Sequence, residues 1–322
     1  PKHMTFTVSV RSTLLATAAT LVTTLAQAAP SQVLSFGDSL ADTGNVQARF
    51  AAVGIDLPAE PYFDGRFTNG LVAVEVLAQE LNVPLVSLGY GGALTGTDNR
   101  ITTGGVLSGT GVQSQINNYV AAQNGSVDSS GLYVVWAGGN DFFSAPAAST
   151  IQTAVTNLLA DVSLLYAAGA RDFLVPNLPD LSTTAEAMKQ SAQVQFGLKQ
   201  LTLAFNSTLS ASFAQLQGQL AGSNILVFDT YGLMTGVRND YVARGLDVTT
   251  PCWSGNYTGQ GTLCSNPADH YLWDSVHPTE AIHAVVGQSF ASAINAVPEP
   301  EAYVMSIVGL LALGVAMRRR AA

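Results

Sequence analysis

Residues 33–40 read VLSFGDSL, an apolar run that ends in Gly37 and is followed by Asp38, Ser39 and Leu40. The run predicts a short buried β-strand, because strands covered on both faces carry apolar side chains at almost every position. Gly37 permits a sharp turn directly after this strand. The next residues can then enter the N-terminus of a helix, where free N–H groups favour negative charge.

Similar apolar runs recur further along the chain, and helical patterns separate them. The candidate strands are 33–37, 84–89, 132–137, 172–176 and 224–229, and the candidate helices are 71–81, 150–168, 184–220 and 278–295, the last with Pro278 in its first turn. Strands that alternate with helices predict right-handed crossovers and a parallel sheet covered on both faces. We therefore expect an α/β fold, a three-layer α/β/α sandwich with a mainly parallel five-stranded sheet.

Composition excludes several classes of protein. The 322 residues are 48% hydrophobic and only 11% charged, which excludes a disordered chain. A formal net charge of −9 excludes a general nucleic-acid binder, which needs a basic face for phosphates. Two cysteines exclude a Cys-rich zinc module, and neither a His-Glu-x-x-His motif nor a phosphate-binding loop is present. We predict no metal and no cofactor.

The first 28 residues have the order of a secretory signal peptide. Arg11 precedes an apolar stretch over 14–25, and Ala26-Gln27-Ala28 forms a small-x-small cleavage site. The alternative is a buried helix of the domain. Residues 1–3 precede the first Met and are left out of the fold prediction. The globular domain is expected to cover 29–297.

The last 25 residues combine three features. Pro298-Glu299-Pro300 comes first, an uncharged, mostly apolar span over 302–317 follows, and Arg318, Arg319 and Arg320 end it. The span is shorter than the ~20 residues that cross a bilayer comfortably. This tail over 298–322 resembles the PEP-CTERM sorting signal of Gram-negative bacteria. The resemblance implies transient membrane association, removal by an exosortase, and a mature protein in the periplasm, at the cell surface or in the extracellular matrix. The alternative is an ordinary C-terminal membrane anchor.

Export bears on the two cysteines, Cys252 and Cys264, which lie 12 positions apart in a Gly/Asn/Thr-rich stretch. In an oxidising compartment we expect them to form a disulfide, which would contribute roughly 3 kcal/mol for so short a loop. The alternative is two unpaired thiols.

Polar residues follow the first and third strands, and glycines follow the second, all at the edge where parallel sheets bind ligands. Ser39 can act as a nucleophile or merely cap a helix. Asn140, in Gly139-Asn140-Asp141, can donate to an oxyanion or simply form a tight turn. Gly92, in Gly91-Gly92-Ala93, can present a backbone N–H or serve only as a turn glycine.

A serine nucleophile needs a base, and His277 fits that role. Asp274 precedes it by three residues, so its carboxylate can bond the ring N–H and support the imidazolium. His270 and His283 lack an equivalent arrangement and are interpreted as structural or surface histidines.

Four blocks in this order resemble the GDSL-type SGNH hydrolases: 36–45, 91–93, 139–141 and 274–278. Together with Gly65-Arg66-Phe67-Thr68-Asn69-Gly70, the first block is similar to the branch of plant GDSL enzymes and bacterial thermolabile-haemolysin-like proteins. The resemblance implies a flavodoxin-like fold and acyl-ester substrates. It assigns Ser39 as nucleophile, His277 as general base and acid, and Asp274 as the residue that orients His277. The oxyanion hole would comprise the N–H groups of Ser39 and Gly92 with the Asn140 side chain.

One position departs from the family pattern, because Ser87 stands where relatives usually have Asn. Several other motif residues are expected to hold the loops in shape rather than to react: Asp38, Asp42, Asn45 and Asp141. Arg66 can contact substrate or form a buried structural ion pair.

The sequence thus predicts an exported serine esterase or lipase that works through an acyl-enzyme. Two alternatives remain open. One is an acyltransferase or polysaccharide deacetylase at the cell surface, which the sorting tail motivates. The other is a non-catalytic surface-binding protein that reuses the fold. Loops over 93–112 and 231–270 are expected to build the substrate groove.

Overall fold

Five parallel strands form the central sheet of this protein, whose structure, a computed structural model, describes residues 29–296. The strand order is β2-β1-β3-β4-β5, so that β1 and β3 lie side by side near the middle. Their bounds are β1 (Val33–Gly37), β2 (Leu85–Ser87), β3 (Leu132–Trp136), β4 (Asp172–Pro176) and β5 (Asn224–Phe228). The expected α/β fold with a five-stranded parallel sheet is confirmed.

Helices connect the strands and cover both faces of the sheet. Over the described residues they are α1 (Asn45–Ala51), α2 (Ala73–Leu81), α3 (Val112–Ala122), α4 (Gly139–Ser144), α5 (Ala148–Ala168), α6 (Ala185–Met188), α7 (Ala192–Gln217), α8 (Thr230–Ala243) and α9 (Glu280–Ala296). Short 3₁₀ helices lie at Phe63–Gly65, Thr103–Gly105, Leu181–Thr183 and Pro267–Asp269.

Side-chain alternation along the strands divides the core into two layers. On β3, Tyr133 and Val135 pack with the layer of α3, α5 and α7, whereas Val134 and Trp136 pack with the layer of α2, α8 and α9. Every residue of β3 is buried, as the continuous apolar run predicts for a central strand. Burial of each such large side chain stabilises the fold by about 1.5–3 kcal/mol.

The three largest differences from the predicted boundaries concern β2, the helix over 184–220 and the start of the last helix. Strand β2 is three residues long rather than six. The predicted helix over 184–220 is two helices, because the Ser191 hydroxyl accepts the Val194 N–H and starts α7 afresh after α6. The prediction that Pro278 lies in the first turn of the last helix is wrong. Pro278 forms a bridge with Leu272, its carbonyl accepts the Thr68 hydroxyl, and α9 begins at Glu280.

A small antiparallel hairpin lies apart from the main sheet, between β6 (Trp253–Gly255) and β7 (Gly261–Leu263). Cys252 precedes β6 and Cys264 follows β7, and the two form a disulfide with a Cα–Cα distance of 4.8 Å. The predicted disulfide is therefore confirmed. The hairpin itself carried no clear strand signal in its Gly/Asn/Thr-rich sequence.

The predicted signal peptide and sorting tail lie outside the described residues. Between residues 29 and 296, none of the helices combines the length and the apolar character needed to cross a bilayer.

Candidate active site

A continuous chain of hydrogen bonds joins Ser39, His277 and Asp274, which come from opposite ends of the domain. The Ser39 Oγ lies 2.7 Å from His277 Nε2, and His277 Nδ1 lies 2.8 Å from Asp274 Oδ2. All three side chains are buried. Because Nδ1 faces a carboxylate, the ring carries its proton there and leaves Nε2 free to accept the serine O–H.

The turn after β1 places Ser39 at the carboxyl edge of the sheet. Gly37 closes this turn against β3, where a Cβ would collide with the Trp136 carbonyl. The Gln115 side chain spans the same residue, since its Oε1 accepts the Gly37 N–H and its Nε2 donates to the Gly37 carbonyl, both at 2.9 Å. The end of the strand is thereby fixed on both sides, two residues before Ser39.

Asp274 is held by donors on both oxygens. Its Oδ1 accepts the backbone N–H groups of Val276 at 2.9 Å and His277 at 2.8 Å, and its Oδ2 accepts the Tyr62 hydroxyl at 2.9 Å. Burial alone would raise the pKa of Asp274, but the His277 charge and these backbone donors outweigh it and lower the pKa below its ordinary value. The carboxylate is therefore anionic where the His277 ring needs it.

The three expected oxyanion donors lie on neighbouring turns at this edge. Within residues 29–296, the backbone N–H groups of Ser39 and Gly92 donate to no protein acceptor. Gly92 has a φ of 78°, and a Cβ there would lie 2.5 Å from Asn99 Oδ1, so the position requires glycine. The Asn140 amide donates to the Ala93 carbonyl at 3.2 Å, which ties the third turn to the second.

Acidic motif residues bind the loops together, as expected. Both oxygens of Asp42 accept backbone N–H groups, including that of Gly91 at 2.8 Å, so the first block anchors the second. Asp141 accepts the Thr95 N–H and hydroxyl. The Ser87 hydroxyl donates to the Ala41 carbonyl at 2.6 Å, so the residue that departs from the family pattern also joins the first and second blocks.

Asp38 directly precedes Ser39, and both residues line one cavity. Its Oδ1 accepts the Leu40 N–H at 3.0 Å. Burial raises the pKa of Asp38 to about 6, against the opposing effects of the Leu40 N–H and the His277 charge. This carboxyl group therefore changes its charge near pH 6.

The cavity beside Ser39 has a volume of about 840 Å³, including its opening to solvent. Asn140 and His277 line it, and most of the remaining lining is apolar, for example Leu40, Trp136, Leu178, Met234, Leu272 and Val286. Two carboxylates, Asp38 and Asp180, belong to the lining, whereas no Lys or Arg does. The prediction that loops over 93–112 and 231–270 build the groove is wrong for this cavity. Segment 93–112 contributes none of its lining residues, and 231–270 contributes only Met234, which lies on α8.

The remaining histidines and Arg66 have structural surroundings. His283 is buried, its Nδ1 accepts the Ala73 N–H at 3.2 Å, and burial lowers its pKa to about 3. The Nδ1 atom of His270 lies 2.9 Å from the carbonyl oxygen of Thr250. Arg66 forms an ion pair with Glu75 through two hydrogen bonds, from Nε at 2.9 Å and from Nη2 at 2.6 Å. Of the two roles expected for Arg66, the structure therefore shows the structural ion pair.

Two residues near the site escaped the sequence prediction. The Tyr62 hydroxyl donates a hydrogen bond to Asp274, and the Phe67 ring packs against the His277 ring with a centroid distance of 5.3 Å. Phe67 belongs to the block 65–70, which is similar to one branch of the family, and Tyr62 lies three residues before that block. Nothing local in that segment indicated a contact with residues more than 200 positions away.

The chain is similar to known proteins of one family. The family described as GDSL-like Lipase/Acylhydrolase matches residues 33–290. A GDSL esterase/lipase of Arabidopsis thaliana is 27% identical over 79% of this chain and 87% of the relative. The thermolabile hemolysin of Vibrio parahaemolyticus is 29% identical over 83% of this chain and 65% of the relative. A crystal structure of a lipolytic protein of the G-D-S-L family from Veillonella parvula covers 83% of this chain and 99% of its own, with a TM-score of 0.48 at 14% identity. Because the family match spans most of the chain, the protein belongs to the GDSL-like lipase/acylhydrolase family of carboxylic ester hydrolases.

Proposed function

We propose that this protein hydrolyses acyl esters through Ser39, His277 and Asp274, with an acyl-enzyme intermediate. The observation that carries the proposal is the unbroken chain of hydrogen bonds from Ser39 Oγ through the His277 ring to Asp274. A hydroxyl at 2.7 Å from an imidazole nitrogen is within reach for proton transfer.

In the first step Ser39 Oγ attacks the ester carbonyl while His277 Nε2 takes its proton. The tetrahedral intermediate collapses when His277 returns the proton to the leaving alcohol, and an acyl-serine remains. Water then attacks the acyl-serine by the same proton transfers and releases the acid. Asp274 stabilises the imidazolium that forms in each step and keeps the ring oriented.

The oxyanion would be held by the free N–H groups of Ser39 and Gly92 and by the Asn140 amide. Each preorganised donor of this kind contributes about 3–4 kcal/mol in comparable sites. The apolar lining of the cavity suits the hydrocarbon part of an acyl chain. Its two carboxylates and lack of Lys or Arg favour an uncharged acyl group over an anionic one.

We also propose that the protein is exported and that its tail over 298–322 is a sorting signal removed by an exosortase. The order of segments at both ends supports this, and the Cys252–Cys264 disulfide suits an oxidising compartment. The test is the mass of the mature protein from its natural host. A mature chain that retains residues 298–322 would contradict removal of the tail.

The experiment that tests catalysis compares the wild type with Ser39→Ala against nitrophenyl esters from acetate to palmitate. We expect activity in the wild type and its loss in the variant. Trapping and mass measurement of an acyl group on Ser39 tests the intermediate. An active Ser39→Ala variant would overturn the mechanism. A wild type that hydrolyses none of these esters would show that simple acyl esters are not its substrates.

A further inference from the structure

We propose that Tyr62 is a positioning residue for Asp274, and that the hairpin closed by Cys252–Cys264 holds Tyr62 in place. Catalysis would then depend on an intact disulfide. The inference rests on the proposed roles of Ser39, His277 and Asp274.

The contact between Tyr62 and Asp274 is direct and buried. The Tyr62 hydroxyl donates to Asp274 Oδ2 at 2.9 Å, and only 2% of the Tyr62 surface is exposed. Burial and the neighbouring carboxylate raise the pKa of Tyr62 far above its ordinary value, so this hydroxyl keeps its proton and can donate it to Asp274. Asp274 Oδ2 is also the atom nearest to His277 Nδ1. His277 Nδ1 also lies 2.9 Å from Oδ1, so the ring faces both oxygens of the carboxylate, and Tyr62 holds one of these two oxygens in place.

An aromatic cluster under the disulfide fixes the Tyr62 ring. The ring packs edge-on against Trp273 at a centroid distance of 6.0 Å and lies 5.3 Å from the ring of Tyr257, which belongs to the hairpin tip. Trp253, on β6, joins the same buried cluster together with Cys252. The side chains that confine Tyr62 thus come largely from the hairpin and from the residue that precedes Asp274.

Backbone hydrogen bonds attach the hairpin to both partners of the contact. The N–H groups of Cys252 and Trp253 donate to the carbonyls of Leu272 and Trp273, at 3.0 and 2.6 Å, directly before Asp274. At the hairpin tip, the Tyr257 carbonyl accepts the Ala59 N–H at 2.8 Å, three residues before Tyr62. One closed loop therefore holds both the segment that carries Tyr62 and the segment that carries Asp274.

Reduction of the disulfide releases this loop. A dithiol such as dithiothreitol is oxidised to its own cyclic disulfide while the Cys252–Cys264 bond becomes two thiols. The hairpin tip, now free of its covalent closure, loosens the packing around Tyr62, while the main sheet and its two core layers keep their contacts. The expected result is a folded protein with a poorly oriented Asp274.

The first test uses full-length Tyr62→Phe, with Tyr257→Phe as the matched control. The control also removes a hydroxyl from the aromatic cluster, but Tyr257 makes no hydrogen bond to Asp274 within the described residues. We expect Tyr62→Phe to lower kcat by about tenfold with KM unchanged, as for a lost bond to a charged group. The control keeps the wild-type kcat. Equal losses in both variants would show that the cluster matters only for packing.

A double-mutant cycle separates positioning from general stability. If Tyr62 acts through Asp274, adding Tyr62→Phe to Asp274→Asn costs far less than tenfold, because the partner is already lost. An undiminished tenfold cost in that background would overturn the positioning role.

The second test compares oxidised wild type, dithiothreitol-reduced wild type and a Cys252→Ser, Cys264→Ser double variant, with folding checked by circular dichroism. We expect the last two to stay folded and to lose kcat about tenfold, and Tyr62→Phe to lose little more on reduction. Full activity after reduction would overturn the dependence on the disulfide. An inactive wild type, or an active Ser39→Ala, would instead remove the proposed function on which the inference rests.

Discussion

Asp274 and Asp161 are similarly buried, with 3% and 1% of their surfaces exposed, yet their carboxyl groups have opposite surroundings. Asp274 accepts hydrogen bonds on both oxygens and faces the His277 ring, and its pKa is lowered. Asp161, in the middle of α5, has no hydrogen-bond partner for either oxygen among the described residues, and burial raises its pKa to about 8.

The pair shows what opposes burial at one carboxyl group and not at the other: the His277 charge and the hydrogen-bond donors outweigh burial at Asp274, whereas nothing offsets it at Asp161. The chain provides four donors for Asp274, from Tyr62, Val276, and both the backbone and the ring of His277. It provides none for Asp161 within the described residues. A neutral Asp161 is tolerated in the core as a small polar side chain, whereas a neutral Asp274 could not support an imidazolium. The same Asp→Asn substitution at several positions can test this reading.

The largest effect is expected for Asp274→Asn. An amide carries no charge to stabilise the imidazolium and can present a donor to His277 Nδ1, so we expect kcat for a nitrophenyl ester to fall by about 10³-fold or more. The control is Asp161→Asn, which removes a carboxyl of similar burial from α5, away from the residues that line the cavity. Its kcat should stay near that of the wild type, and equal losses in the two variants would contradict the comparison.

The second-largest effect is expected for the free energy of unfolding of Asp161→Asn, and it depends on pH. Its folded pKa of about 8 lies above the model-peptide value, so the folded protein holds a proton that the unfolded chain has released. Stability from the neutral carboxyl is therefore present below pH 4 and is lost as pH rises through 8. Relative to the wild type, the free energy of unfolding of Asp161→Asn should increase by about 3 kcal/mol between pH 5 and pH 8.

Urea unfolding of both proteins at the two pH values measures this change. Other groups that titrate in the range, such as Asp38 and Asp42, are common to both proteins and cancel in the difference. The cost of burying the Asn amide does not depend on pH. A difference that is the same at pH 5 and pH 8 would show that Asp161 has an ordinary pKa in the folded protein.

An intermediate effect is expected for Asp42→Asn. Asp42 is fully buried and accepts the N–H groups of Gly44, Asn45, Val46 and Gly91. An amide directs its NH₂ at two of these donors, so we expect the free energy of unfolding at pH 7 to fall by about 2 kcal/mol. Urea unfolding measures the loss. An unchanged free energy would show that these four bonds contribute little to stability.

Most of the sheet is predictable from the sequence because its strands are short, buried and apolar. Strands β1 and β4 match the expected runs, and β3 and β5 end one residue early. The break between α6 and α7 was harder to see, because Ser191 can lie inside a helix or cap a new one. The hairpin β6–β7 has few apolar residues, and it is the disulfide and the contacts with Leu272 and Trp273 that order it.

The residues of the candidate site also fall into two groups, those that the sequence predicts and those that it does not. Asp274 and His277 are three residues apart, so their contact is predictable from local spacing. The position of Ser39 at the edge of the sheet is predictable because the residue comes directly after the first strand. Tyr62 is not predictable by such reasoning, because its partner lies 212 positions away and tyrosines are usual in aromatic clusters. Asp161 also gave no signal, since an acidic residue in a helix is ordinarily exposed. Contacts between residues far apart in sequence, and the burial of a carboxyl group without hydrogen-bond partners, arise only when the chain packs. Local sequence patterns therefore do not predict them.

The smallest effect is expected where the carboxylate is exposed. Asp240 and Arg244 lie four residues apart on α8 with a closest N–O distance of 3.2 Å, and 61% and 59% of their side-chain surfaces are accessible. Water solvates both groups in the folded and the unfolded chain, so the ion pair adds little. Asp240→Asn should change the free energy of unfolding by less than about 0.5 kcal/mol, and by less still in 1 M salt. Urea unfolding at low and high salt checks this value. A loss as large as that at Asp42 would mean that exposed ion pairs, and not buried donors, stabilise this fold, and the ranking of these aspartates would then fail.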